Sequence, residues 1–155
     1  MALVIEILIA ASPTDPMAPQ SNVRAVAGMG LAGDRYFTGQ GTFSPQPRKP
    51  DYEVTLVQQE HLAAFAAATG VAFTAREARR NLVTVGVDLN GLVGKEFRVG
   101  EVLLKGMRLC EPCNYLAKQT SPEILPGLVH KGGLRAQILS DGEIRVGDPV
   151  AVVET

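Results

Sequence analysis

The residues best suited to chemistry are two cysteines, Cys110 and Cys113, where an apolar run over 101–109 meets a helix-compatible run over 114–119. A thiol at the start of a helix is readily deprotonated, because unpaired amide hydrogens and the helix dipole favour negative charge there. Pro112 restricts the backbone directly before Cys113, and Asn114 begins the predicted helix. We therefore predict that Cys113 is the working thiolate, which attacks, carries sulfur or ligates a soft metal.

The spacing of Cys110 and Cys113 also allows other interpretations. A dithiol redox pair fits it, although the chain lacks the βαβ pattern that surrounds a thioredoxin-like motif. A structural zinc site needs more ligands, and His61 and His130 are the only histidines, neither at finger spacing. Two buried thiols that act as small hydrophobic residues are the simplest alternative. The residues alone leave these alternatives open.

Basic side chains form two further candidate sites. The run 76–81 ends in Arg79, Arg80 and Asn81, where arginines at a helix end suit bidentate binding of phosphate or carboxylate. A solvated helix face paired with Glu77 explains the same run without a ligand. The second group places His130, Lys131 and Arg135 around adjacent glycines, which let a backbone approach a ligand closely. Earlier in the chain, Asp34 is predicted to cap a turn, and Arg35 to pair with it or face an anion.

Composition narrows the function classes. The 155 residues suit one domain over 1–155, and the formal net charge of -1 provides no positive field for nucleic acid or an anionic membrane surface. The N-terminus has no basic region, and Glu6 interrupts its apolar run, so we expect neither a signal peptide nor a membrane span. We predict a cytoplasmic protein with reduced thiols.

The elements that position these residues are predicted to be mostly strands. Sixteen glycines and ten prolines, spread along the chain, favour many short strands separated by turns. Alternating Leu3, Ile5, Ile7 and Ile9 predict an opening strand, and further strands are predicted over 54–57, 81–85 and 134–139. A helix is predicted over 58–69 with Gly70 as its stop, and Thr74 with Glu77 forms a capping box for a second, short helix. The predicted fold is mostly β and barrel-like, with a few short helices.

In this order, the motifs resemble the MOSC domain, the module at the C-terminus of molybdenum cofactor sulfurases. Stand-alone bacterial proteins and the mitochondrial amidoxime reducing component also belong to that family. The resemblance covers nearly the whole chain. It rests on Gly33-Asp34-Arg35-Tyr36, Arg79-Arg80-Asn81-Leu82-Val83, Gly94, Val99-Gly100-Glu101, Pro112-Cys113 and Val146-Gly147-Asp148-Pro149-Val150.

The resemblance implies a MOSC-type β-barrel, similar to the pyruvate kinase β-barrel, and a pocket for the molybdenum–pterin cofactor. It implies that Cys113 is the active cysteine and the molybdenum ligand of members that bind the cofactor. It also implies that Arg79 and Asn81 line the cofactor site. To these we add cationic candidates for the cofactor's phosphate tail, namely Arg35, His130, Lys131 and Arg135.

Two activities follow from the resemblance. The protein acts either as a sulfur carrier or sulfurtransferase, through a persulfide on Cys113, or as a molybdenum-dependent reductase of N-hydroxylated compounds. The first needs a sulfur donor of the cysteine desulfurase type, and the second needs an electron-transfer partner. Pyridoxal phosphate is not expected, because no lysine lies in a recognisable motif for it. The alternatives are a non-catalytic cofactor-binding or interaction module and a CxxC dithiol redox protein, and a homo-oligomer is left open.

Overall fold

The structure, a computed structural model, describes residues 1–39, 49–70, 73–110 and 132–153. Cys113, His130, Lys131 and the helix predicted over 114–119 lie outside the described residues. The described strands are β1 (Leu3–Ile9), β2 (Ala18–Gln20), β3 (Asn22–Val26), β4 (Gly30–Leu31), β5 (Val54–Gln58), β6 (Leu82–Val85), β7 (Glu96–Val99), β8 (Val102–Leu109), β9 (Leu134–Ile138), β10 (Gly142–Arg145) and β11 (Val150–Val152). The helices are α1 (Arg35–Thr38), α2 (Gln59–Thr69) and α3 (Ala75–Ala78), with 3₁₀ turns at Pro50–Tyr52 and Leu89–Leu92.

Eight of these strands form one strongly curled sheet in the order β11-β7-β8-β9-β5-β6-β1-β2. Among the described strands of this sheet, only β5 and β6 pair in parallel, and a second sheet has the order β10-β3-β4. The curl brings β1 to the segment before β11, where Leu3 bridges Pro149 and the Val4 amide donates to the Asp148 carbonyl at 2.9 Å. The predicted mostly-β, barrel-like fold is therefore confirmed.

The curled sheet is buried on both faces where β1, β5 and β6 run side by side. Its inner face holds a core that includes Ile7, Leu56 and Leu82, all fully buried. Its outer face carries Leu8, Val57 and Val83, which join a second core under α2 and α3. Strands covered on both faces suit a parallel pair joined by a helical crossover, and here that crossover is α2 and α3.

Local sequence signals for the helices are confirmed. Gly70 ends α2 in the left-handed conformation, and its amide donates to the Ala66 carbonyl. Thr74 and Glu77 make both hydrogen bonds of the capping box at the start of α3. Within the described part of the chain, no helix is long and apolar enough to cross a membrane.

The opening strand is present, but its alternation does not define one buried face. Val4, Ile7 and Leu8 are fully buried, whereas Ile5 is 40% exposed. The pairing of β1 with β6 shifts register between Val4 and Glu6, which indicates a bulge. Because one extra residue reverses the faces beyond it, the period of two does not continue along the strand.

Candidate functional site

A row of polar residues crosses the outer face of the curled sheet at one level. Arg108 on β8 is opposite Arg135 on β9, and Arg135 is opposite Thr55 on β5. Asn81, directly before β6, pairs with Thr55 through hydrogen bonds. Arg135 and Thr55 each lie between two residues of the inner core, so their own side chains face outwards. We call Arg108, Arg135, Thr55 and Asn81 the polar row.

One end of the polar row is a closed hydrogen-bond network around Asn81, which is fully buried. Its amide oxygen accepts from the Thr55 backbone amide at 3.0 Å and the Thr55 hydroxyl at 3.1 Å. Its amide nitrogen donates to the Leu8 carbonyl at 3.1 Å. Asn81 therefore joins β1, β5 and β6, and only one amide N–H of its side chain is left over from these bonds.

Arg35 and Arg79 lie beside this network. Arg35 is 4% exposed, pairs with Asp34 at 3.1 Å and donates to the Arg79 carbonyl at 3.1 Å. Asp34 also caps α1 by accepting from the Tyr36 amide, so its two predicted roles are both present. The Arg79 guanidinium donates to backbone carbonyls in the 12–15 loop, Asp15 at 2.7 Å and Ser12 at 3.3 Å.

Arg79 also has an unusual backbone. Its φ of 58° is in the left-handed region, and among the described non-glycine residues it is alone in this. It occupies the C-cap position of α3, where glycine is usual because a Cβ costs energy there. The hydrogen bond from the Arg35 guanidinium to the Arg79 carbonyl helps to hold this backbone conformation. A strained residue that neighbouring structure holds in place is a frequent feature of functional sites.

Arg80 and Cys110 meet at Gly132. The Arg80 Nε donates to the Gly132 carbonyl at 2.7 Å, and the Cys110 amide donates to the Gly133 carbonyl at 2.7 Å. A Cβ on Gly132 would overlap the Cys110 carbonyl, and one on Gly133 would overlap the Leu56 carbonyl. The adjacent glycines thus allow close approach of one backbone to another. Cys110 is 2% exposed and is the last described residue before the segment that contains Cys113.

Arg135 forms the centre of the other end of the row. Its guanidinium lies 5.0 Å from the centre of the Tyr52 ring and hydrogen-bonds the Tyr36 hydroxyl. Burial lowers the pKa of Arg135, but electrostatic interactions with Cys110, Tyr36 and Tyr52 and the hydrogen bond with Tyr36 outweigh burial, so the pKa is raised overall. Its Nε is buried and has no hydrogen-bond partner among the described residues. A buried N–H without a partner lowers the stability of the folded state by about 1–3 kcal/mol.

Arg108 completes this end together with the turn at Pro50–Tyr52. Its Nε donates to the Asp51 carboxylate at 2.6 Å, and a second nitrogen donates to the Tyr52 hydroxyl at 3.3 Å. Burial alone raises the pKa of Asp51, but the hydrogen bond from Arg108 and the charges of Arg108 and Arg135 lower it below the ordinary value.

The structure brings four of the predicted site residues together: Arg35, Arg79, Asn81 and Arg135. Predictions that concern Cys113, His130 and Lys131 stay predictions. The sequence analysis included Arg80 in the basic run 76–81 but did not assign it to the cofactor site, and it missed Arg108, which stands two residues before Cys110. It also missed the partners of Arg108, Asp51 and Tyr52, because no local sequence pattern marks them.

The donors on this face fit an anionic cofactor. Guanidiniums bind phosphate oxygens through paired hydrogen bonds. Arg80 bonds the Gly132 carbonyl beside Cys110, Arg135 interacts electrostatically with Cys110, and Arg108 is the register partner of Arg135. Among the described residues, no three His, Cys, Asp or Glu side chains are grouped as a metal site. The predicted thiolate ligand, Cys113, lies outside that part of the chain.

Fold and site together define a small, mostly-β domain with a guanidinium-rich outer face beside a cysteine. The MOSC domain model matches residues 38–151, which is most of the chain, and the chain belongs to that family. MOSC domains are associated with the molybdenum cofactor. The match begins after the Gly33-Asp34-Arg35-Tyr36 motif, so the assignment does not depend on that motif.

Several solved structures share the fold. The YuaD protein from Bacillus subtilis matches with a TM-score of 0.81 and 17% identity, over 98% of this chain and 96% of that one. YiiM from Geobacillus stearothermophilus matches with a TM-score of 0.76 and 18% identity, over 99% and 76% of the two chains. YiiM from Escherichia coli gives 0.71 and 20%, over 100% and 71%. No curated protein matched the sequence.

Proposed function

We propose that this protein binds the molybdenum–pterin cofactor and uses it to reduce N-hydroxylated compounds, with Cys113 as the protein ligand to molybdenum. The observation that carries the proposal is the pairing of Arg108 with Arg135 across β8 and β9, with Arg135 interacting with Cys110 and Arg80 bonding Gly132 beside it, in a member of the MOSC family. A bare thiol needs no such concentration of guanidiniums, whereas the phosphate of a pterin cofactor does.

The chain's own residues divide the work. Arg80, Arg108 and Arg135 would hold the phosphate tail, and Arg35 would keep the Arg79 backbone in its left-handed conformation. Asn81 would fix the relative positions of β1, β5 and β6, which carry or adjoin these groups. When bound, the cofactor supplies the two-electron chemistry that removes oxygen from the substrate. The electrons would come from a separate electron-transfer protein.

Sulfur transfer is the second candidate. The Arg135 guanidinium interacts electrostatically with the Cys110 thiol, three residues from Cys113. A cation beside this segment would stabilise a persulfide anion on Cys113 as well as a thiolate. In this version a donor of the cysteine desulfurase type would load Cys113, which would pass the sulfur to a metal centre or cofactor.

Metal and pterin analysis of protein purified from a cofactor-making host tests the proposal. We expect stoichiometric molybdenum and pterin in the wild type and in Cys110→Ser, and loss of molybdenum in Cys113→Ser. A persulfide mass shift without metal would instead favour the sulfur carrier. Protein with neither metal, pterin nor persulfide would contradict both versions.

Alkylation tests the role of Cys113 independently of the cofactor. A functional thiolate at Cys113 reacts at neutral pH faster than Cys110, which is buried. Labelling of both at the same slow rate would rule out a working thiolate.

A further inference from the structure

Two arginines face each other directly across neighbouring strands. Arg108 and Arg135 are register partners on β8 and β9, and both side chains contact the same ring, that of Tyr52, with guanidiniums 5.5 and 5.0 Å from its centre. Like charges directly opposite each other destabilise a sheet. One arginine would be enough to pack against the Tyr52 ring and stabilise this part of the sheet. The pair is therefore expected where a ligand of opposite charge binds.

Asp51 is the carboxylate that faces this pair. It accepts from the Arg108 Nε at 2.6 Å, and its charge also interacts with Arg135. Arg135 donates to the backbone carbonyl of Asp51, at 3.5 Å. One carboxylate thus serves two guanidiniums, and the Arg135 Nε is left without a partner among the described residues.

A tetrahedral oxyanion matches this arrangement better than Asp51 does. Phosphate has oxygens in several directions, so it can accept from two guanidiniums at once, whereas Asp51 is fixed to a three-residue turn. The Tyr52 hydroxyl beside Arg108 supplies a further polar contact. The Asp51 side chain is 22% exposed, so its place on Arg108 is reachable from solvent.

We propose that Arg108, Arg135 and Tyr52 form a phosphate subsite in which Asp51 is the resting occupant, and that an incoming phosphate group displaces the Asp51 carboxylate from Arg108. The identity of the ligand that carries this phosphate rests on the function proposed above. The subsite itself requires neither Cys113 nor a metal. Asp51 is thereby an internal competitor that weakens binding of the ligand.

Titration with inorganic phosphate at constant ionic strength, measured by calorimetry, tests the subsite. Because Asp51 competes, Asp51→Asn binds phosphate at least about threefold more tightly than the wild type. Glu101→Gln is the matched control, since it removes one carboxylate from the exposed pair of Glu101 with Arg145. Glu101→Gln changes the net charge by the same amount as Asp51→Asn but away from the subsite, so we expect it to leave the phosphate affinity unchanged.

The double variant with Asp51→Asn and Arg108→Gln separates competition from general electrostatics. We expect it to lose the gained affinity, because one of the two guanidiniums is gone. Equal phosphate affinity in the wild type and Asp51→Asn, or weaker binding in Asp51→Asn, would overturn the proposal. So would an equal gain in Glu101→Gln.

Two further samples distinguish this proposal from the proposed function. Cys113→Ser retains phosphate binding, so failure of the metal proposal leaves the subsite intact. Protein that carries pterin and molybdenum separates two sources of the phosphate. Loss of inorganic phosphate binding in it assigns the subsite to the cofactor's tail, and retained binding assigns it to the phosphate of another ligand.

Discussion

The two ends of the polar row have opposite properties although they lie on neighbouring strands. At the Asn81–Thr55 end, the polar groups bond one another and the adjoining strand, and both residues are buried. At the Arg108–Arg135 end, two like charges share one carboxylate, and a buried N–H has no partner among the described residues. The polar groups of the first end are satisfied without a ligand. At the second end, a bound anion would supply the missing hydrogen-bond acceptor and balance the two positive charges.

This difference changes how the predicted site residues are understood. Asn81 was predicted to line the cofactor pocket, and that contact stays a prediction. Its hydrogen bonds show a second role, since they join three strands at the level of the site. The arginines at the other end are less constrained by the fold. We therefore expect substitutions at the first end to act mainly on stability and those at the second mainly on ligand binding.

Asn81→Ala is the substitution with the largest expected effect on stability. It leaves the Thr55 amide and the Leu8 carbonyl without a partner in a buried site, which costs about 3–5 kcal/mol of unfolding free energy. Asn22→Ala is the control, because Asn22 bonds Glu143 at the surface and its loss costs about 0.5 kcal/mol or less. Chemical denaturation measures both, and similar small losses would contradict the closed network.

Gly132→Ala tests the contact between Cys110 and the glycine pair. A Cβ there overlaps the Cys110 carbonyl, so the chain must shift at a cost of about 1–3 kcal/mol. Gly28→Ala serves for comparison, because Gly28 has a φ of 76° and open space around its Cα. It meets only the left-handed backbone penalty, about 1 kcal/mol. If thermal unfolding shows Gly28→Ala to be the more damaging change, the close approach at Gly132 is wrong.

Arg79 separates side-chain from backbone effects. Arg79→Gly and Arg79→Ala both remove the bonds to the 12–15 loop, but only glycine relieves the left-handed φ of 58°. Arg79→Gly is therefore expected to be more stable than Arg79→Ala by about 1 kcal/mol. Denaturant titration of the two variants measures the difference. Equal stability would show that the backbone conformation carries no strain.

The acid dependence of Asp51 is the smallest expected effect. Because the folded state lowers the pKa of Asp51, its contribution to stability is complete above the unfolded pKa and is lost as the pH falls through the folded pKa. The stability gap between the wild type and Asp51→Asn should therefore be widest near neutral pH and close in acid. Thermal unfolding from neutral to acidic pH measures it. A gap that widens on acidification would contradict the pairing with Arg108.

Local patterns predicted the elements that local chemistry determines. Gly70 ends α2, and Thr74 caps α3, because each acts within one helical turn. The buried face of β1 was not predictable, since the bulge depends on its pairing with β6. The pairing of Arg108 with Arg135 depends in the same way on the register of strands that are far apart in sequence. Asp51 and Tyr52 contact these arginines only because the fold places the turn at Pro50–Tyr52 beside β8 and β9.

The most direct test of the account compares Arg135→Gln with Asn81→Asp in protein from a cofactor-making host, with pterin content and unfolding free energy measured on the same samples. We expect Arg135→Gln to lose bound pterin with a stability change of about 1 kcal/mol or less, because removal of the unpaired Nε and of the like charge opposite Arg108 offsets the lost contacts with Tyr36 and Tyr52. For Asn81→Asp we expect the main loss to be in unfolding free energy. Full pterin retention in Arg135→Gln, or no pterin in the wild type, would contradict the account.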